Sequence, residues 1–128
     1  MNPIPHISDS EKEIMQIIWH HKGRILFAPL CTALEAQKKL WKANTVLTFL
    51  TRLADKGFIR MEKQGRLNEY IALYTEDEYL ESLTGSFIDT VFGGDAKSLV
   101  ASLLSQERLT PEDMEELKEF WNGGKDVK

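Results

Sequence analysis

Asn44, Thr45, Thr48 and Arg52 stand close together in the stretch KANTVLTFLTRLADKG. At 100° per residue, Val46, Phe49, Leu50 and Leu53 fall on one side of a helix over this stretch, and Asn44, Thr48, Thr51 and Asp55 fall opposite. Thr45 and Arg52 flank the polar face on one edge and Leu47 flanks it on the other, while Lys42 lies just ahead. Short hydroxyls and one amide let a helix approach a groove closely, and an arginine reaches a phosphate or a guanine edge. A few residues later, Lys63-Gln64-Gly65-Arg66 places two cations around a glycine that permits the positive φ of a hairpin turn. The chemistry on offer is hydrogen bonding and charge neutralisation, with no bond made or broken.

Catalytic and metal-binding constellations are not expected. His20 and His21 are adjacent, so on a helix they point about 100° apart and cannot share a metal by themselves. The single cysteine, Cys31, leaves no disulfide framework or multi-thiolate metal site and reads as a small packed side chain. There is no P-loop, no GxSxG and no HExxH. Glu112, Asp113, Glu115 and Glu116 open a helix, where they complement its dipole and face solvent. The expectation is a non-enzyme with no catalytic residue, no metal ligand and no cofactor.

The 128 residues suffice for one domain, or for two small ones sharing a core. No run approaches the ~18 apolar residues of a membrane helix, and Met1–His6 lacks the pattern of a secretory signal, so no membrane insertion and a cytoplasmic location are expected. Charge is divided along the chain. Residues 1–75 carry 11 Lys/Arg against 7 Asp/Glu, a surplus of +4, and residues 76–128 carry 5 against 13, a deficit of −8. A polyanion would meet the first part and not the second.

The pattern of elements supports this division. Ser8-Asp9-Ser10-Glu11 is a capping box for a helix with Ile14, Ile17, Ile18 and Trp19 inward, stopped at Gly23. A short β-like segment over 24–28 precedes a second helix from Pro29 to about Leu40, with Leu30, Ala33, Leu34 and Gln37 inward. The third helix runs from Ala43 to about Lys56 and ends at Gly57, and two strands follow over 58–63 and 68–74. Thr75-Glu76-Asp77-Glu78 is a second capping box, opening a helix to about Phe92. Further helices are expected from Asp95 to Gln106 and from Pro111 to Gly123-Gly124, the last with Met114, Leu117, Phe120 and Trp121 inward. Residues 125–128 read as a frayed tail.

Helix, short strand, helix, helix and hairpin make a winged helix-turn-helix. The fold class is mainly α: an N-terminal winged helix-turn-helix over residues 1–74, with three helices and a small antiparallel sheet, and a C-terminal three-helix dimerisation domain over residues 75–128. In such a fold the third helix would enter the major groove of double-stranded DNA, and Lys63 and Arg66 would meet the flanking backbone. Leu80, Leu83, Phe87, Val91, Leu99, Leu103, Leu104, Leu117, Phe120 and Trp121 are many apolar groups for three short helices. They would fold back on the winged module or pack against a second copy, and a twofold dimer spaces two reading helices by a turn of DNA. A protein-interaction adaptor that uses a winged helix without DNA is the reading from another class. A regulator with a ligand pocket near Trp41 or Trp121 is a third, although no polar cluster accompanies those residues.

The stretches ISDSEKEIMQIIW, TVLTFLTRLADKGFI, GGDAKSLVASLL and LTPEDMEELKEF resemble the penicillinase and methicillinase repressors, the BlaI/MecI/CopY family of bacterial regulators, over nearly the whole chain. The resemblance implies a homodimeric repressor on a palindromic operator of a resistance or stress operon. It implies that the third helix reads DNA through Asn44, Thr45, Leu47, Thr48 and Arg52. It also implies a membrane-bound sensor protease as a partner system, with cleavage near Ser102-Leu103. Some members carry a basic residue near Leu47, so a different operator is implied here. The Asn-Phe pair at the cleavage site of the β-lactam repressors is missing, and NGGKDVK lacks the cysteines of the copper-responsive branch.

Overall fold

The computed structural model describes residues 4–124; the expectations for Met1–Pro3 and for the tail Lys125–Lys128 lie outside the described residues. The chain divides into two compact units, Met1–Leu83 and Thr84–Lys128. In order, the elements are α1 (Asp9–His20), β1 (Arg24–Leu26), α2 (Phe27–Ala36), α3 (Ala43–Asp55), β2 (Ile59–Gln64), β3 (Leu67–Ala72), α4 (Glu76–Val91), α5 (Ala96–Ser105) and α6 (Pro111–Gly124).

In the first unit the amphipathic faces close on one core. Ile14, Met15 and Ile18 of α1, Leu30 and Leu34 of α2, and Val46, Leu50 and Leu53 of α3 are buried together with Phe58 and Tyr70. Burying each such side chain contributes about 1.5–3 kcal/mol. A three-stranded antiparallel sheet in the order β1-β3-β2 backs the helices. Ile25 stands opposite Tyr70, and Met61 stands opposite Tyr70 on the other side of β3. Gly65 is the first of the two residues between β2 and β3 and takes φ +65°, as a tight hairpin of the II′ kind requires.

Both expected capping boxes form. Ser8 Oγ accepts from Glu11 N at 3.2 Å while Glu11 Oε1 accepts from Ser8 N at 2.8 Å. Thr75 and Glu78 make the same exchange at 3.0 and 2.8 Å. Glu11 does more than cap. Its carboxylate is 1% exposed and also accepts from Lys56 Nζ at 2.7 Å, which ties the start of α1 to the end of α3.

α2 departs from its expected limits. It begins at Phe27 and ends at Ala36, so β1 is shortened to three residues and Gln37 is an exposed C-cap rather than an inward side chain. Pro29 is tolerated in the first turn because amides there have no helical acceptor. Lys38 then takes φ 62°, and Lys39 N donates to Leu34 O at 2.8 Å, closing the helix a turn early. Trp19 is half-buried because its indole Nε1 donates to Tyr74 O at 2.8 Å, which keeps one ring edge at the surface.

The second unit is built differently. Asp95 caps α5 through Lys97 N and Ser98 N, and Thr110 and Asp113 close a capping box on α6. Asp113 is therefore half-buried and engaged, in contrast to the solvated residue expected. Among the described residues none after Tyr79 is buried. Leu117, Phe120 and Trp121, expected inward, are 49%, 57% and 64% exposed, and only Met114 of that set is half-buried. Three short helices bury only a small fraction of their surface, and here they leave the stripe uncovered.

The Glu11–Lys56 contact sets an acid limb of stability. Burial alone would raise the Glu11 carboxyl above its ordinary 4.5, but the hydrogen bond and charge of Lys56 and the Ser8 amide outweigh this and hold it below. A carboxyl lowered on folding stabilises the fold fully above the unfolded value and loses that contribution as pH falls through the folded value. Glu11→Gln is expected to cost about 1–3 kcal/mol at neutral pH and to flatten the loss of stability below pH 4.5, measured by urea unfolding across pH.

Candidate nucleic-acid interface

Burial of Val46, Leu50 and Leu53 fixes the rotation of α3 about its axis. The opposite face, Asn44, Thr48, Thr51, Arg52 and Asp55, is exposed, as the spacing predicts, and Thr45 is half-buried at its edge. Trp41 packs edge-on against Phe49, with ring centroids 5.1 Å apart, and steadies the entry to the helix. The exit is a glycine stop of the Schellman kind. Gly57 takes φ +81°, its N–H donates to Ala54 O, and Phe58 N donates to Leu53 O at 2.9 Å with both side chains buried.

The hydroxyls on this face are partly committed. Thr48 Oγ1 donates to Asn44 O at 2.9 Å, and Thr51 Oγ1 donates to Leu47 O at 3.0 Å. The carboxamide of Asn44 makes no such bond among the described residues.

Charge on the hairpin is sorted by face. Side chains alternate along a strand, so Arg60, Glu62 and Gln64 share one side of β2, and Ile59, Met61 and Lys63 share the other with Asn68 and Tyr70 of β3. Arg60 pairs with Glu62 at 2.7 Å, while Glu69 accepts from Gln64 and lies 3.8 Å from Arg24. The wing carboxylates are thus engaged by other partners. Among the described residues, Lys42, Arg52, Lys63 and Arg66 are exposed, and none of them lies within ion-pair distance of a carboxylate.

Between α3 and the hairpin runs a groove lined by Leu47, Thr51, Ala54, Met61, Asn68 and Tyr70. Burial pushes the Tyr70 phenol up, opposed by a hydrogen bond from Asn68. Asn68 Oδ1 is buried and has no hydrogen-bond partner among the described residues. Thr51 and Met61 were not singled out as site residues from the sequence. The outward phase of Thr51 was a usable signal, whereas the placement of Met61 beside α3 depends on how the strand packs.

Elsewhere, His20 and His21 border a shallow surface depression with Gln16, Gln37 and Glu76. Among the described residues no three His, Cys, Asp or Glu side chains converge as a metal site would require. Cys31 is half-buried, and its thiol is pushed up by burial and by Glu35. Ser102 and Leu103 lie, half-buried, within α5. No helix among the described residues is long and apolar enough to cross a membrane.

A helix-turn-helix backed by a hairpin, with a polar outward third helix, defines a winged-helix DNA-binding module. The profile of the penicillinase repressor family matches residues 7–123, and the chain belongs to that family. The penicillinase repressor of Bacillus licheniformis is 33% identical over 122 residues, covering 91% of this chain and 90% of its own length. The methicillin resistance regulatory protein MecI of Staphylococcus aureus strain N315 is 32% identical over 123 residues, covering 94% and 97%. The solution structure of the DNA-binding domain of the repressor BlaI superposes with a TM-score of 0.52 at 35% identity, covering 62% of this chain and 94% of that one. The monomeric form of Bacillus licheniformis BlaI in complex with the blaP half-operator gives 0.51 at the same identity and coverage. The family expected from the quoted stretches is the family found, and it is one of repressors rather than of enzymes.

Proposed function

We propose that this chain is a cytoplasmic, homodimeric transcriptional repressor that occupies a palindromic operator of a resistance or stress operon. Residues 1–74 bind DNA and residues 75–128 hold the dimer. The observation that carries the reading is the α3 face, polar and uncovered, flanked by four cations without carboxylate partners. A helix about 10–12 Å across fits a major groove about 12 Å wide. With α3 in the groove, Asn44, Thr45, Leu47, Thr48 and Arg52 meet base edges, and Lys42, Lys63 and Arg66 meet the backbone. A relative in this family is described as bound to a half-operator, which supports duplex DNA as the partner.

The apolar side chains from α4 onward support the pairing of two copies. Leu80, Leu83, Phe87, Val91 and Leu104 are 39–58% exposed, as are Leu117 and Phe120, and Trp121 is more so. Leu99 and Leu103 are half-buried. An apolar surface of this kind gains by burial against a second copy. Two linked reading helices then bind more tightly than one through effective concentration. Any release of repression by a sensor protease acting near Ser102-Leu103 requires α5 to open first, because a protease cleaves a locally unfolded segment.

Two measurements test the reading. Arg52→Ala is expected to weaken binding to the preferred duplex by about 1–3 kcal/mol and to leave binding to random duplex largely unchanged. Equal losses on both make Arg52 a phosphate contact. Binding should also weaken with salt by a slope of about −0.9 per phosphate neutralised, and the absence of duplex binding would leave the adaptor. Phe87→Glu is expected to sediment as a monomer and to lose most operator affinity; a variant that stays dimeric removes Phe87 from the interface.

A further inference from the structure

The groove beside α3 has an apolar rim at Leu47 and Met61, and Asp55, Asn68 and Tyr70 also line it. Leu47 is 39% exposed on the hairpin side of the helix, and Met61 faces the same groove at 53% exposed. Thr51 extends this strip along α3, and its hydroxyl proton is given to Leu47 O. In this arrangement the hydroxyl turns a lone pair outward, and the γ-methyl group of Thr51 is left as apolar contact. On α3 the side-chain donors, the Asn44 carboxamide and the Arg52 guanidinium, lie on the ridge through Thr48, beside the ridge of Leu47 and Thr51. In the major groove a guanine edge presents two acceptors, and along Leu47 and Thr51 it meets a leucine and a hydroxyl whose proton is engaged. A thymine presents its 5-methyl group, and its adenine partner presents an amine that can donate.

Resting on the DNA-binding reading above, we infer that the Leu47–Thr51 strip selects base pairs that present a pyrimidine 5-methyl group to the major groove, and that guanine is read from the Asn44, Thr48 and Arg52 side. The occupant of the groove rim is duplex DNA, because Arg52 of the same helix and Lys63, on the face of β2 that carries Met61, are exposed cations without carboxylate partners and complement phosphate.

The test uses the full chain and the duplex it enriches from a random-sequence pool. Each thymine of that duplex is replaced singly by deoxyuridine, which removes the methyl group and keeps every hydrogen-bonding atom. The expected result is a loss of about fourfold in affinity at one or more positions of each half-site, the worth of one buried methyl. At the position under Leu47, Leu47→Ala should bind the thymine and uracil duplexes alike, and Thr51→Ser should do the same at its own position. Equal binding of every uracil duplex by the unaltered protein overturns the inference while leaving DNA binding intact. Full thymine preference retained by both variants overturns it as well. Enrichment of no duplex at all is a different failure, because it removes the DNA-binding reading on which the inference rests.

Discussion

The burial of one face of α3 is the constraint on which the rest depends. Val46, Leu50 and Leu53 lock into a core made by α1, α2 and Phe58, so the helix cannot rotate without exposing them. Their burial, together with a 3.6-residue period, turns Asn44, Thr48 and Arg52 outward without any contact made to those residues themselves. The Gly57 stop and the Trp41–Phe49 pair fix the two ends, and Glu11 secures the far end of α3 to the start of α1 through Lys56. A polar face held this way has its ordering completed before any partner arrives, which lowers the entropy lost on binding.

The two units solve opposite problems. The first closes its core; the wing carboxylates are engaged by Arg60, Arg24 and Gln64, and Lys42, Arg52, Lys63 and Arg66 are among the cations left open. This is how a chain with net charge −4 can present a cationic surface. The second unit concentrates acidic residues and leaves its leucines and aromatics half-exposed, with nothing buried past Tyr79 among the described residues. A unit of that size has much surface for its volume, and an apolar face of this kind gains stability only where a further surface buries it.

Much of the fold was legible in local pattern. Capping boxes at Ser8 and Thr75, glycines at 57 and 65, and the phase of α3 are all set within four or five residues, so spacing alone locates them. The ends of α2 were not legible, because Phe27 and Gln37 have no strong boundary chemistry and the early stop comes from Lys38 in a left-handed conformation. Leu117, Phe120 and Trp121 mark an apolar stripe whose period is clear. A stripe states that burial is favourable but not which surface provides it, and the single chain leaves these residues exposed.

The sequence by itself determined the secondary elements, the polar face of α3 and the division of charge, since each follows from neighbours along the chain. Tertiary structure alone decided the pairing of Glu11 with Lys56, 45 positions away, the setting of Met61 beside α3, and the separation of Lys63 and Arg66 from the wing carboxylates. Contacts between distant residues depend on how elements pack against one another, and no local period encodes that.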